Sequence, residues 1–141
     1  MIATGLDTVW QNTEMYDMEG NFKCTRKYGE FPVELQKSSG TFFAGFPVLC
    51  GGGIGPWPPS LDQLTDKCWK FENNQWKVFA NLTGGPRERS AVFESNGKLV
   101  VFAGKGPEFD EKKTNRYDFF DSDGNFLKSN SIIKIMYLYN T

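Results

Sequence analysis

A pair of small residues closes an apolar run twice in this chain, at Gly51-Gly52 and again at Ala103-Gly104, 52 residues later. Two other markers keep almost the same step. Aromatic residues at Tyr16, Trp69 and Tyr117 recur after 53 and 48 residues, and those at Phe22, Trp76 and Phe126 after 54 and 50. A period near fifty residues, agreed by three marker sets, means copies of one supersecondary unit that bury their faces on one another. The two complete copies read TFFAGF, PVLCGGG, a long loop, DKCWKFENN, QWKVFANL, and RSAVFESNG, KLVVFAGKG, a long loop, TNRYDFFDSDGN, FLKSN. Before them, TEMYDMEGN and FKCTRKYG match only the second half of a copy.

Within the copies the local signals are those of β-strands. Apolar, aromatic and β-branched runs predict strands at Thr41–Cys50, Cys68–Phe71, Trp76–Asn81, Ser90–Glu94, Lys98–Phe102, Arg116–Phe120 and Phe126–Lys128. Asn96-Gly97 and Asp123-Gly124-Asn125 supply the residues that accept φ > 0 in tight hairpins. The main helical candidate, Leu61–Trp69, is brief, lies between prolines and a strand-like run, and has no sustained apolar face at helical spacing. The expected class is all-β, with four antiparallel strands per unit.

What the chain lacks narrows its chemistry. It has no histidine, which removes Ser-His-Asp and Cys-His nucleophilic sites, His-ligated zinc and His general bases together. Its three cysteines, Cys24, Cys50 and Cys68, neither complete a four-cysteine zinc site nor form a C-x-x-C pair. Sixteen Lys and Arg against 17 Asp and Glu leave a net charge of −1. No block of like charge tracks a phosphate backbone or an anionic lipid surface, so neither nucleic acid nor membrane is an expected partner. No apolar stretch reaches the roughly 18 residues of a spanning helix. The N-terminal MIATGLDTVWQ has neither the basic start nor the apolar run of an export signal.

Four local motifs read as structure. Gly51-Gly52-Gly53-Ile54-Gly55 imitates a phosphate-cradling loop, but Pro56 and Pro58 stand where a third glycine is needed and no amphipathic helix follows. Gly104-Lys105-Gly106 lacks both the earlier Walker glycine and the Ser or Thr after lysine, and is a strand end. Asp121-Ser122-Asp123-Gly124-Asn125 has its glycine too early for a calcium loop and aligns with the turns at Glu19-Gly20-Asn21 and Glu72-Asn73-Asn74. Glu108, Asp110 and Glu111 share a solvated loop with Lys112 and Lys113 and are not read as an acid/base pair. No catalytic residue, cofactor or metal site is assigned.

The order of these features, arginine and small residues, an apolar strand ending in Gly-Gly, a variable loop, an aromatic strand and a following Trp, resembles the Kelch repeat. The match is fullest over Phe46–Leu82, with Cys50-Gly51-Gly52, Cys68-Trp69-Lys70-Phe71 and Asn74-Gln75-Trp76, and next over Arg87–Asn125. Ala103 replaces the first glycine of the second pair, and Phe22 and Phe126 stand where tryptophan is usual. The resemblance implies that each repeat is one four-stranded blade of a β-propeller, which closes with about four to eight blades. The implied organisation is a half blade at 1–36, blades at 37–85 and 86–130, and an off-pattern tail at 131–141, an incomplete Kelch-type propeller. The implied function is a non-catalytic module that binds a protein or other ligand. The alternative is a segment of a Kelch-like oxidase or carbohydrate-active enzyme whose active site lies in further blades. Open blade edges, and the tail at Tyr137–Tyr139, imply self-association of the chain by itself.

Strand alternation places the long loops. In a four-stranded antiparallel unit the loop after the second strand and the connection to the next unit leave from one edge. That edge collects Gly53–Lys67, Gly106–Asn115 and the Gly84-Gly85-Pro86-Arg87 connector, where a binding surface is expected. Candidate contacts are Trp57, held between prolines, Arg87 and Arg89, which suit a partner carboxylate, and Phe109 and Asp110. For Trp57 the competing role is covering its own blade, and for Arg89 a structural position beneath the strand. Cys50 ends a second strand and Cys68 opens a third, so a disulfide is in reach, against the alternative of two buried thiols. Asn81-Leu82-Thr83 is an N-glycosylation sequon at a unit edge and leans the parent protein toward secretion, with a cytoplasmic protein as the alternative.

Overall fold

The computed structural model describes residues 2–3, 14–15, 29–55, 61–107 and 116–131. Short strands separated by two-residue turns and longer connections make up nearly all of it. In chain order they are β1 (Ile2–Ala3), β2 (Glu14–Met15), β3 (Leu35–Gln36), β4 (Ser39–Phe43), β5 (Phe46–Cys50), β6 (Gly53–Ile54), β7 (Lys67–Glu72), β8 (Gln75–Asn81), β9 (Ala91–Ser95), β10 (Lys98–Phe102), β11 (Arg116–Phe120) and β12 (Phe126–Ser131). Leu61–Gln63 forms one 3₁₀ turn where the helical candidate was considered. The chain is all-β, and no helix among the described residues is long and apolar enough to cross a membrane.

Eight of these strands form two antiparallel meanders. Sheet 1 has the order β4-β5-β7-β8 and sheet 2 the order β9-β10-β11-β12. The run Thr41–Cys50, expected as one strand, is a hairpin, because Ala44 and Gly45 take φ of 50° and 83°. Alanine is a poor marker for such a turn. The equivalent turn in sheet 2 is Asn96-Gly97, at 51° and 69°. Other left-handed positions recur at the same 52-residue step: Lys37 and Arg89 (53° and 56°), Gly51 and Ala103 (63° and 56°), and Gly52 and Gly104 (107° and 106°). Backbone geometry thus repeats where side chains have diverged.

The third strands obey a different step. Leu49 pairs with Trp69, and Val101, 52 residues beyond Leu49, pairs with Asp118. Trp69 is therefore equivalent to Asp118, and Tyr117 to Cys68. A one-residue shift moves a side chain to the opposite face of a sheet, so the aromatic marker at Trp69 and Tyr117 joins residues on opposite faces. Phe71 and Phe120, cross-strand partners of Trp76 and Phe126 respectively, are true equivalents.

Two cores follow from this alternation. One face of sheet 1 (Phe43, Val48, Cys50, Cys68, Ala80, with Leu82 beyond its last strand) packs on Val92, Leu99, Val101 and Phe120 of sheet 2. The other face (Leu49, Trp69, Phe71, Trp76) packs with Ile54 and with Phe31, Val33 and Leu35 of the segment leading into sheet 1. Phe31 is central there, its ring 5.1 Å from Trp69 and 4.9 Å from Trp76, edge-on to both. Trp69, Trp76 and Tyr117 are all buried, but the tryptophans face the lead-in segment, not sheet 2. Phe126 is 44% exposed where Trp76 is 7% exposed, so the smaller ring does not fill the equivalent space. The half unit expected over residues 1–36 falls mostly outside the described residues. What is described of its first part is the antiparallel pair Ile2–Met15 and Ala3–Glu14.

Candidate functional site

Tight turns occupy one edge of both sheets and long connections the other. On the long-connection edge the chain leaves β5, passes through β6 and the 3₁₀ turn, and returns to β7. The connector from β8 to β9 runs beside that loop. Backbone hydrogen bonds tie the two: the Gly52 N–H donates to Arg87 O (2.8 Å), the Thr65 N–H to Gly52 O (2.9 Å), and the Arg87 N–H to Thr65 O (3.2 Å). Gly52 also approaches the lead-in so closely that a Cβ there would lie 2.5 Å from Gln36 O, and one on Gly51 would lie 2.2 Å from Arg87 O. The glycine doublet is therefore required by chain crossing as well as by φ.

Each lead-in also pairs with the segment after its unit's second strand. Leu35 and Gln36 pair with Ile54 and Gly53, and Glu88 exchanges two 2.8 Å hydrogen bonds with Lys105. The two lead-ins touch: the Arg89 N–H donates to Lys37 O (3.0 Å), and Lys37 Nζ lies 3.0 Å from the Glu88 carboxylate. This ordered backbone frame holds the described ends of the longer loops.

Arg87 was expected on that surface and is not there. Its side chain is 0% exposed and pairs at 2.9 Å with Asp118, also 0% exposed. Arg87 Nη2 donates to Asp118 Oδ2, and the Thr83 hydroxyl donates to Asp118 Oδ1 at 2.9 Å. A buried guanidinium needs a fixed carboxylate, and sheet 2 supplies one at the position where sheet 1 carries Trp69. By the 52-residue step Arg87 is equivalent to Leu35, a member of the Trp69 cluster. The same slot between lead-in and third strand thus holds an apolar pair in one unit and an ion pair in the next. Asp118 escaped sequence reasoning, although a carboxylate amid Tyr117, Phe119 and Phe120 was a usable signal.

Arg89 does lie at this edge with its side chain 67% exposed, Nε 3.8 Å from the buried Glu88 carboxylate. Its competing assignment, beneath the strand, does not fit that exposure. Trp57, Phe109 and Asp110 lie outside the described residues. Cys50 and Cys68 are cross-strand partners with Cα atoms 4.0 Å apart and are joined by a disulfide. The bond sits inside the inter-sheet core. Asn81, last residue of β8, is exposed.

At the opposite edge the β11–β12 turn is an Asp-based turn. Asp121 Oδ1 accepts from the N–H groups of Asp123 (3.0 Å) and Asn125 (2.9 Å), and Oδ2 from the Asn125 carboxamide (3.0 Å). The Asn125 side-chain bond above all, with these backbone bonds, lowers the Asp121 pKa below 3.8. What the charged form contributes to the turn is complete above the unfolded value and is lost as pH falls through the lowered one. Among the described residues no group of three or more His, Cys, Asp or Glu side chains is placed to hold a metal ion.

No protein-family model matches the chain, and a search of curated proteins finds no significant match.

Proposed function

We propose that the chain is a non-catalytic protein-binding module, built from consecutive blades of a Kelch-type β-propeller and working as part of a larger ring. The observation that carries this reading is the repetition itself: two four-stranded meanders stacked face to face, with equivalent left-handed residues at a constant 52-residue step. Stacked units of this kind present a rigid frame whose long connections all reach one edge. On that edge Arg89 is the exposed cation of the described frame's inter-unit connector. The loop holding Trp57 departs from Gly55 and returns at Leu61, both part of the same frame.

The partner surface that suits this edge is acidic with an apolar centre, matched by the Arg89 guanidinium and the Trp57 indole. The buried disulfide supports a parent protein that folds in an oxidising compartment. A photo-crosslinking residue at Trp57 or Arg89 of the full-length parent should give partner adducts, and the same probe at Asn96 in the opposite turn should not. Adducts from Asn96 alone, with all three variants folded, would overturn the assignment of the edge.

A further inference from the structure

We propose that Asn81 carries an N-linked glycan, and that this sugar shields the free edge of sheet 1 against strand pairing with other chains. Asn81-Leu82-Thr83 is the one Asn-x-Ser/Thr triplet in the 141 residues. Its placement in the fold is that of an acceptor. Asn81 and Thr83 are exposed residues whereas Leu82 between them is buried, so the chain is anchored through the middle residue. In the folded chain the Thr83 hydroxyl is held by Asp118, and the acceptor is read before that bond forms. The Asn81 carboxamide touches Lys67 Nζ through its oxygen, at 2.9 Å, and not through the nitrogen that takes the sugar.

The disulfide is an independent pointer. Cys50–Cys68 lies in the inter-sheet core, and such bonds persist in the compartments where nascent chains also meet the glycosylation machinery. The proposal rests on the oxidising compartment put forward above. The co-reactant is a lipid-linked oligosaccharyl diphosphate. The Asn81 nitrogen attacks the anomeric carbon, the C–O bond to the diphosphate breaks, the amide gives up one proton, and the lipid diphosphate leaves with no redox change.

The location gives the sugar a task. β8 is one of the two end strands of sheet 1, and an edge strand offers unpaired backbone groups to any passing strand. The Asp121–Asn125 turn covers this strand at one point: a Cβ on Gly124 would lie 2.1 Å from Phe79 O. Val78, next to Phe79, is 54% exposed, and Asn81 lies two residues beyond Phe79. A large hydrated group there covers the strand end that the turn does not reach.

The test is translation of the full chain, behind a cleavable export leader, in a cell-free system with microsomal membranes, where modification precedes folding. One endoglycosidase-sensitive mobility step is expected, abolished by N81Q and by T83A and retained by T83S. Absence of the step, or its survival in N81Q, would overturn the site. For the shielding role, secreted protein is compared by sedimentation before and after enzymatic removal of the sugar, with a shift to larger species expected. Unchanged sedimentation would overturn the shielding. The loop-edge reading is judged separately, by the crosslinking at Arg89.

Discussion

Arg87 and Asp118 show how much one residue's surroundings decide. Both are fully buried, in contact, and 31 residues apart in sequence. Removing one partner of such a pair strands an uncompensated charge, at a cost of about 3–5 kcal/mol, whereas replacing both with apolar groups of similar volume is often close to neutral. Arg87→Met should therefore lower the urea midpoint sharply, and Arg87→Met with Asp118→Leu should recover most of the loss. A double variant as unstable as the single one would refute this account of the slot. That an arginine in a Gly-Pro connector would be buried was not legible from its neighbours. It depends on which face of β11 meets the connector, and hence on a register offset that the aromatic spacing misled by one residue.

At the scale of elements, the hairpin at Asn96-Gly97 was legible, whereas the one at Ala44-Gly45 and the crossing of connections were not. Tight turns at Asn96-Gly97 carry their own chemistry in two residues, and Cys50 opposite Cys68 follows from strand parity alone. Gly51 is different: its constraint comes from the carbonyl of Arg87, 36 residues away in the sequence. Gly45 has φ of +83° with nothing within 4 Å of its Cβ position, while Gly51 has φ of +63° and a backbone oxygen at 2.2 Å. Gly45→Ala should then cost only the left-handed penalty, roughly 1–2 kcal/mol, and Gly51→Ala distinctly more. Thermal denaturation of the two variants gives the comparison, and equal losses would mean the connector yields freely. Ala103 already occupies the position equivalent to Gly51 in the second unit, at φ of 56°, so there the left-handed conformation is tolerated without glycine.

For the molecule as a whole, the inter-sheet core joins the two units through one shared cluster. Phe43, Val48 and the disulfide from one sheet share a cluster with Leu99, Val101 and Phe120 from the other. Hydrogen exchange should therefore report the same opening free energy for β5 and β10, as expected for one cooperative unit. Replacing both cysteines by alanine should lower it in both sheets together, by about 3 kcal/mol for a loop of this length in the chain-entropy model. A drop confined to sheet 1 would show the sheets opening independently. The all-β class and the four-strand units were plain in the sequence because strand patterning is local. The contents of the two cores were not, since they depend on which faces meet.

The unlike filling of the two equivalent slots has one more consequence, for assembly. Repeated units are at risk of misassembly, here of a lead-in seating on the wrong sheet, because similar faces offer similar welcomes. Here Leu35 meets a tryptophan and Arg87 meets an aspartate. Exchange would put a guanidinium against indole instead of a carboxylate and leave the aspartate facing leucine. Two shapes of key, cut for two locks, fit each lead-in to the third strand of its own sheet and to no other.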